Sequence, residues 1–537
     1  MKQGKVYLVG AGPSDEGLFT IKGNALLKKA DAVVYDALVG SSIVAMIPEN
    51  AEKIYVGKHS GHHTIKQEEI SRLLVRLAKQ GKEVVRLKGG DPFLFGRGGE
   101  ELEELIKEEI TFEVVPGVTS ALSVPAYAGI PVTHREFSSS LHIITGHKKQ
   151  GETLQIDFDA LVKAGGTYVF LMGVTAMEDI CNGFLKAGME PEMPAAMISQ
   201  GTTSRQRRVV ATLCTLVEKV KKEKLETPAI LMIGQVCRLA EAFTWYEKLP
   251  LFGKKIVVTR PADRSKGLAM ELRSRGAEVL EIPTIVTKPA GDRKELVSAI
   301  HHMMERTGYD AVTRRDRVAV HGAKAEYDRA VEHDTIEKHD KNAGANWLVF
   351  TSPAGVDYFW GVLTREKLDV RCLLGVKIAV IGSGTKGQLE EKGIFADLMP
   401  EEYHGEALGK KLAEVLLPGD YVMIPRAKMG NQELIQEISR VPDVVIEDIA
   451  LYDTTYAAQS AIDLKELFEK EPDTLVVFTS SSTVKGFVSM TEGLDYRGVK
   501  AICIGKQTAR TAAEYGMQCE ISKEATMNGL VEVICNL

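Results

Sequence analysis

VVRLKGGDPFLFGRGGEE, residues Val84–Glu101, is the stretch that decides how the rest of the chain is read. A short β-branched run carries the chain into Gly89-Gly90, then an acid and a proline, and Gly-Arg-Gly-Gly next opens a segment rich in glutamate. A plain structural turn has no use for five glycines, an arginine and an aspartate between Gly89 and Gly99. At a strand exit glycine permits a tight turn and lets a ligand come close to the backbone. In open α/β sheets that edge is where ligands bind. Outward from this stretch the pattern repeats. Val6–Gly10, Ala32–Asp36, Glu83–Gly90, Phe112–Gly117, Leu141–Gly146 and Tyr168–Gly173 read as strands, most of them ending in glycine or running into one. Gln67–Gln80 and Gly99–Glu109 carry apolar residues at helical spacing. Strands alternating with helices predict an α/β fold class.

The chain has 537 residues, against roughly 100–200 for one domain, so several cores are expected. Its composition is 44% hydrophobic and 26% charged, and glycine and proline together make about 13%, which excludes a low-complexity chain. A net charge of −6 argues against bulk nucleic-acid binding. The longest apolar runs, such as Tyr168–Val174, are too short to cross a bilayer. The first residues enter a strand at once, without a signal-peptide layout. Seven scattered cysteines contain no CxxC pair, so neither disulfides nor a zinc site is expected, and a cytoplasmic location is.

A boundary is expected near 245–253, where TWYEKLPLFG precedes a fresh strand, GKKIVVTRP. Beyond it the sequence duplicates. WLVFTSPAGV (Trp347–Val356) recurs in type as LVVFTSSSTV (Leu475–Val484), and VKIAVIGSGTKGQLEEKG (Val376–Gly393) as VKAICIGKQTARTAAEYG (Val499–Gly516). A period of about 125 residues suits two similar α/β lobes. Residues 311–346 interrupt the first copy with a charged, weakly periodic run. It reads as an inserted surface loop rather than a metal site built from His321, His333 and His339.

VGAGPSD (Val9–Asp15) looks at first like a dinucleotide-binding turn, with Asp36 as the ribose acid. The pattern fails, because Asp15 stands where the third glycine belongs and Pro13 removes an amide that could face phosphate. A ligand without phosphate that needs close backbone approach fits better than a nicotinamide.

VGAGPSD, ADAVVYDALV, GKHSG, RLKGGDPFLFGRGGEE, VVPGVTSA, AYAGIPVTHR, TGH, MGV, GTT and TPAILMIG together resemble uroporphyrinogen-III C-methyltransferase, of the tetrapyrrole methyltransferase family, over residues 1–245. Ser14-Asp15-Glu16-Gly17 and Leu94 depart from the usual pattern. The resemblance implies S-adenosylmethionine as methyl donor, uroporphyrinogen III as acceptor, precorrin-2 as product and a homodimer formed through this half. Donor-binding residues carried over by motif are Pro13, Gly89, Gly90, Asp91, Leu94, Thr119, Ser120, Met172, Gly201 and Ala229. The acceptor bears eight carboxylates, for which Lys58, His59, Arg97, His134 and Arg135 are candidates, arginine's fork suiting such groups. The resemblance points to Asp36 as proton acceptor and Lys58 as donor, with Arg97 and Glu100 as rivals.

Residues 253–537 resemble uroporphyrinogen-III synthase through VVTRP, the paired FTS strands, the IGSGT and IGKQTA turns and LYDTT. That resemblance implies two α/β lobes, about 253–283 with 456–537 and about 289–449. EIPTIV and DIALYDTT would be the crossings. Tyr452, Thr385, Ser480 and Thr508 are its implied polar contacts with hydroxymethylbilane. The expectation is therefore a two-lobed α/β methyltransferase unit followed by a bilobed α/β synthase unit, acting on small tetrapyrroles without a metal, nucleic acid or membrane. The alternative treats the second half as a tetrapyrrole-binding module without catalysis.

Overall fold

A computed structural model of the chain describes residues 3–57, 66–146, 155–260, 262–307, 344–430, 432–457 and 460–537, with 262–266 as backbone only. Lys58, His59 and the rest of GKHSG after Gly57, His147 of TGH, and residues 311–343 of the expected insert lie outside the described residues.

Val6–Gly10 (β1), Ala32–Tyr35 (β2), Glu52–Tyr55 (β3), Val84–Lys88 (β4) and Phe112–Val115 (β5) form a wholly parallel sheet in the order β3-β2-β4-β1-β5. Every residue of β2 and β4 is buried, as a central parallel strand covered on both faces requires. The helix Gln67–Lys79 buries Ile70, Leu74, Val75, Leu77 and Ala78 against this sheet, the apolar face its spacing predicts. A second sheet follows, built from Leu141–Thr145 (β6), Thr167–Leu171 (β7), Pro194–Ser199 (β8), Arg207–Thr212 (β9) and Ala229–Ile233 (β10), in the order β6-β7-β10-β8-β9. Only its β6–β7 pair is parallel.

The segment from Thr244 to Gly253 is packed. Leu251 is fully buried, and Tyr246 meets the rings of Tyr127, Trp245 and Phe252 at 4.8, 5.5 and 5.3 Å. Lys255–Val258 (β11) and Glu278–Glu281 (β12) then begin a third sheet. The chain leaves it to make Ile285–Pro289 (β13), Asn346–Phe350 (β14), Val376–Val380 (β15), Tyr421–Ala427 (β16) and Val445–Tyr456 (β17), ordered β13-β17-β16-β14-β15. It returns with Leu475–Phe478 (β18), Lys500–Cys503 (β19) and Gln518–Ile521 (β20), which complete the parallel sheet β12-β11-β18-β19-β20. Contacts divide the chain into two compact units. The first is Met1–Thr284 with Ala458–Ser522 and Leu530–Leu537, and the second is Ile285–Ala457 with Lys523–Gly529.

The duplicated motifs make the same local unit twice. β14 leads to Ser352, which caps the helix Pro353–Arg365 by accepting from the Gly355 amide, and β18 leads to Ser480, which caps Ser481–Met490 by accepting from the Thr483 amide. Both serines have the extended backbone of an N-cap, with φ −164° and −167°. β15 and β19 likewise run into Gly382 and Gly505, which open the helices Ser383–Glu390 and Lys506–Glu514.

Candidate functional site

At the exits of β1, β4 and β5 the backbone is drawn together by glycine. The Gly12 amide donates to the Gly90 carbonyl at 3.2 Å, and the Gly90 amide returns a bond to the Gly12 carbonyl at 2.8 Å. A Cβ on Gly10 would fall 2.5 Å from the Gly117 Cα, and one on Gly117 would fall 2.2 Å from the Gly90 carbonyl oxygen. Gly90 differs. Its φ is +68°, and a Cβ there would meet nothing of the chain before the Ser120 amide nitrogen at 3.9 Å. Glycine is thus required at 10 and 117 by crowding, and at 90 by conformation, since a Cβ there would make only ordinary contacts.

Asp91 ties this turn down. One carboxylate oxygen accepts from the Phe93 and Leu94 amides at 2.8 and 3.2 Å, and the other from the Gly117 amide at 3.0 Å. Thr119 caps the helix Ser120–Tyr127. Gly89 is pressed against the Leu38 carbonyl. Leu94 packs against the apolar cluster that includes Val124, Ile198 and Ile230, so it joins the exits of the first sheet to the core of the second. On the second sheet stand Met172, half-exposed after β7, and Ala229, which pairs with Ser199. Gly201 lies against Val124, and the Thr202 hydroxyl donates to the Pro13 carbonyl. Ser14, Phe95, Arg97, Met172, Gln200 and Thr202 all have positive φ, and they are six of the ten such non-glycine residues among those described. Each costs on the order of 1–3 kcal/mol, and such outliers gather where function demands them.

Beneath the turn lies an ionic network that sequence reading missed. Arg86, Lys88 and Glu101 are buried. Arg86 pairs with Asp36 at 2.9 Å and with Glu101 at 3.3 Å, Lys88 pairs with the same Glu101 oxygen at 2.7 Å, and the Gln67 amide donates to it at 3.0 Å. Burial, with Arg86 beside it, pushes the Lys88 ammonium below its ordinary value, and Glu101 opposes the shift. The other Glu101 oxygen is buried without a hydrogen-bond partner. The signal available in the sequence was Arg86 and Lys88 two apart in an apolar strand, which puts both on one face. Asp36, expected as a proton acceptor, is held by Arg86 and also accepts from the Leu38 amide at 3.1 Å.

Of the acceptor-binding candidates, Arg97 and Glu100 pair with each other, both half-exposed. Hydrogen bonds from Arg97 hold the Glu100 carboxyl below its ordinary value. Arg135 is exposed, and His134 stacks on Phe137 at 4.8 Å while its Nδ1 accepts from the Glu136 amide.

In the second unit the Tyr452 hydroxyl meets the Ser352 hydroxyl at 2.7 Å, and its ring stacks on Tyr358 at 5.1 Å. Sequence reading passed over Ser352, although it is the duplicate of Ser480. Thr385 there, and Thr508 in the first unit, are buried three residues after Gly382 and Gly505, in the first turns of their helices. Among the described residues no cluster of three or more His, Cys, Asp or Glu could hold a metal ion, and no helix is long and apolar enough to cross a membrane.

A family model of tetrapyrrole (corrin/porphyrin) methylases matches residues 5–217, and one of uroporphyrinogen-III synthase HemD matches residues 322–532. The porphyrin biosynthesis protein HemD of Ruminiclostridium josui is 39% identical over 537 residues, 100% of this chain and 99% of the relative. The chain belongs to that family. It is an enzyme of two parts, a uroporphyrinogen-III C-methyltransferase and a uroporphyrinogen-III synthase. The S-adenosyl-L-methionine-dependent uroporphyrinogen III methyltransferase of Methanosarcina barkeri is 51% identical over 237 residues, 44% of this chain and 93% of the relative. A crystal structure of uroporphyrin-III C-methyl transferase from Thermus thermophilus, complexed with S-adenyl homocysteine, is 42% identical with a TM-score of 0.39, and covers 44% of this chain and 100% of that one.

Proposed function

We propose that this chain closes hydroxymethylbilane to uroporphyrinogen III and then methylates that product twice with S-adenosylmethionine to give precorrin-2. The observation that carries the methyltransferase part is the cradle at Gly90, a left-handed glycine where a Cβ would only just touch the first turn of Ser120–Tyr127, at 3.9 Å from the Ser120 amide nitrogen. The residues bordering it suit this donor. Leu94 and half-exposed Met172 offer apolar side chains, Thr202 ties the turn after Gly201 to the Pro13 carbonyl, and phosphate is not required. The donor supplies a sulfonium methyl group, and the chain's share is positioning, which by itself removes a large part of such a barrier.

Asp91 serves this reading as the residue that shapes the turn, since both its oxygens accept backbone amides. Arg97, Arg135 and His134, with Lys58 and His59, remain the proposed grip on acceptor carboxylates. Asp36 is proposed to take the proton lost after methyl transfer and Lys58 to return one, Arg97 and Glu100 being rivals. For the synthase part, the Tyr452–Ser352 pair and the hydroxyls of Ser480, Thr385 and Thr508 are proposed to meet acetate and propionate groups. The proposed division is 1–245 for the methyltransferase and 253–537 for the synthase. A cytoplasmic location completes the reading, together with a homodimer through the methyltransferase half, where Ile21, Phe93 and Ile106 are exposed.

The test uses the full chain. Hydroxymethylbilane alone should yield the type III isomer, and added S-adenosylmethionine should convert it to a dimethylated product read by mass. Gly90→Leu should abolish calorimetric donor binding, because its side chain fills the cradle, while isomer formation continues. Type I isomer alone would leave the second half as a binding module, and donor binding unchanged in Gly90→Leu would remove the cradle from the site.

A further inference from the structure

The third sheet, whose strands lie in the proposed synthase division, belongs to the same compact unit as the first two sheets. Its edge strand β12 carries Glu278. One oxygen of that carboxylate accepts from both the amide and the hydroxyl of Ser204, at 2.9 and 2.7 Å. The other takes the Lys255 ammonium at 3.1 Å and the Ser41 hydroxyl at 3.4 Å. Burial pushes the Glu278 carboxyl up, yet Lys255 and the two Ser204 donors overcome it and hold the group below its ordinary value. A second anchor lies beside the first. Arg273 reaches Glu16 at 2.7 Å while holding Glu281 at 3.0 Å and the Val279 carbonyl at 3.2 Å.

The two anchors fall on two of the turns in this half that carry left-handed backbone at non-glycine residues, Ser14 in one and Gln200 and Thr202 in the other. The Thr202 hydroxyl ties the turns together through the Pro13 carbonyl, and the Ser42 hydroxyl holds the Ser14 carbonyl from behind. Left-handed conformations of this kind persist only where surrounding contacts over-determine them. Here part of that constraint comes from residues that lie 70 or more positions downstream, in the other enzyme's sequence.

We propose that Glu278 and Arg273 are positioning residues for methyl-donor binding, so that a sheet of the synthase half sets the donor affinity of the methyltransferase without touching the donor. The proposal rests on the reading that Pro13 and Gly201 border the donor site. Linkage makes the effect reciprocal: donor binding should tighten β12 in turn.

Calorimetry with S-adenosylmethionine on the full chain tests it. Glu278→Ala should weaken donor binding about tenfold, Glu278→Gln, which keeps an acceptor for Ser204, should weaken it less, and Ser204→Ala should weaken it about threefold. The double variant Glu278→Ala/Ser204→Ala should be no worse than Glu278→Ala by more than about twofold, since both changes break one contact. Lys500→Ala, which breaks an exposed pair with Asp473 on the same sheet, should leave donor affinity unchanged. Saturating donor should restore kcat in Glu278→Ala, and amide exchange in β12 of the unsubstituted chain should slow when donor is added. Donor affinity within twofold of the unsubstituted chain in Glu278→Ala, whether or not its melting point falls, would overturn the proposal. If Glu278→Ala does not fold, Arg273→Ala and Ser204→Ala decide by the same criterion. Failure of the unsubstituted chain to bind donor would instead remove the reading beneath it.

Discussion

At the exits of β1, β4 and β5 the chain crowds Gly10, Gly90 and Gly117 together and surrounds them with left-handed backbone and buried ions. At the exits of β14, β15, β18 and β19 it places Ser352, Gly382, Ser480 and Gly505, all with extended backbone and all opening a helix. Both regions end parallel strands, yet the first is held by contacts from far along the chain and the second largely by bonds within four residues. On the proposed reading, close approach to a compact methyl donor calls for backbone forced into unusual places, and a flexible polycarboxylate for hydroxyls and amides in ordinary ones.

The sharpest way to break the comparison is at Glu101. Glu101→Ala would leave Lys88 and Arg86 buried without that carboxylate, and should destabilise the chain by about 3–5 kcal/mol in denaturant titration. A loss under about 1 kcal/mol would mean the network is not structural. Next come two glycines in comparable positions. Gly117→Ala drives a Cβ into the Gly90 carbonyl and should cost about 3 kcal/mol, whereas Gly505→Ala meets nothing within 4 Å at φ −168° and should fall within about 0.5 kcal/mol of wild type. Equal midpoints for the two variants would erase the distinction.

Ser480→Ala removes one cap and should cost about 1 kcal/mol. Ser352→Ala should cost somewhat more, because the bond between the Ser352 and Tyr452 hydroxyls is lost as well. The smallest effect concerns pH. Burial pushes the Glu16 carboxyl up to about 7, Arg273 opposing and Glu281 and Asp15 adding to it. A carboxyl raised in the folded state contributes stability below its unfolded value and loses it as pH rises through 7. Glu16→Gln should therefore change little at pH 4 and raise stability at pH 8 by about 1 kcal/mol, read from thermal melts.

Much of the first half was legible because its signals are local. Val6–Gly10 is β1 to the residue, and Gln67–Lys79 stops one residue before the helix expected from its apolar spacing. The paired FTS motifs foretold two strands of one type, and the matching serine caps that follow them rest on a few neighbouring residues. Thr385 and Thr508 are expected at the substrate from their turns; that both are buried in the first turns of their helices is set by helix phase and packing, which residue type does not give.

What the sequence by itself determined is the class of fold, the places where strands stop, and the family, each carried by patterns a few residues long. Tertiary structure alone decided which charges meet. Arg86 finds Asp36 across 50 positions and Ser204 finds Glu278 across 74, pairings that periodicity cannot encode. A charged residue in a strand reads as exposed until a partner from another element is brought within about 3 Å, and only then is its burial stable. That is why Arg86 and Lys88 drew no notice in the sequence and form a buried ionic network in the fold.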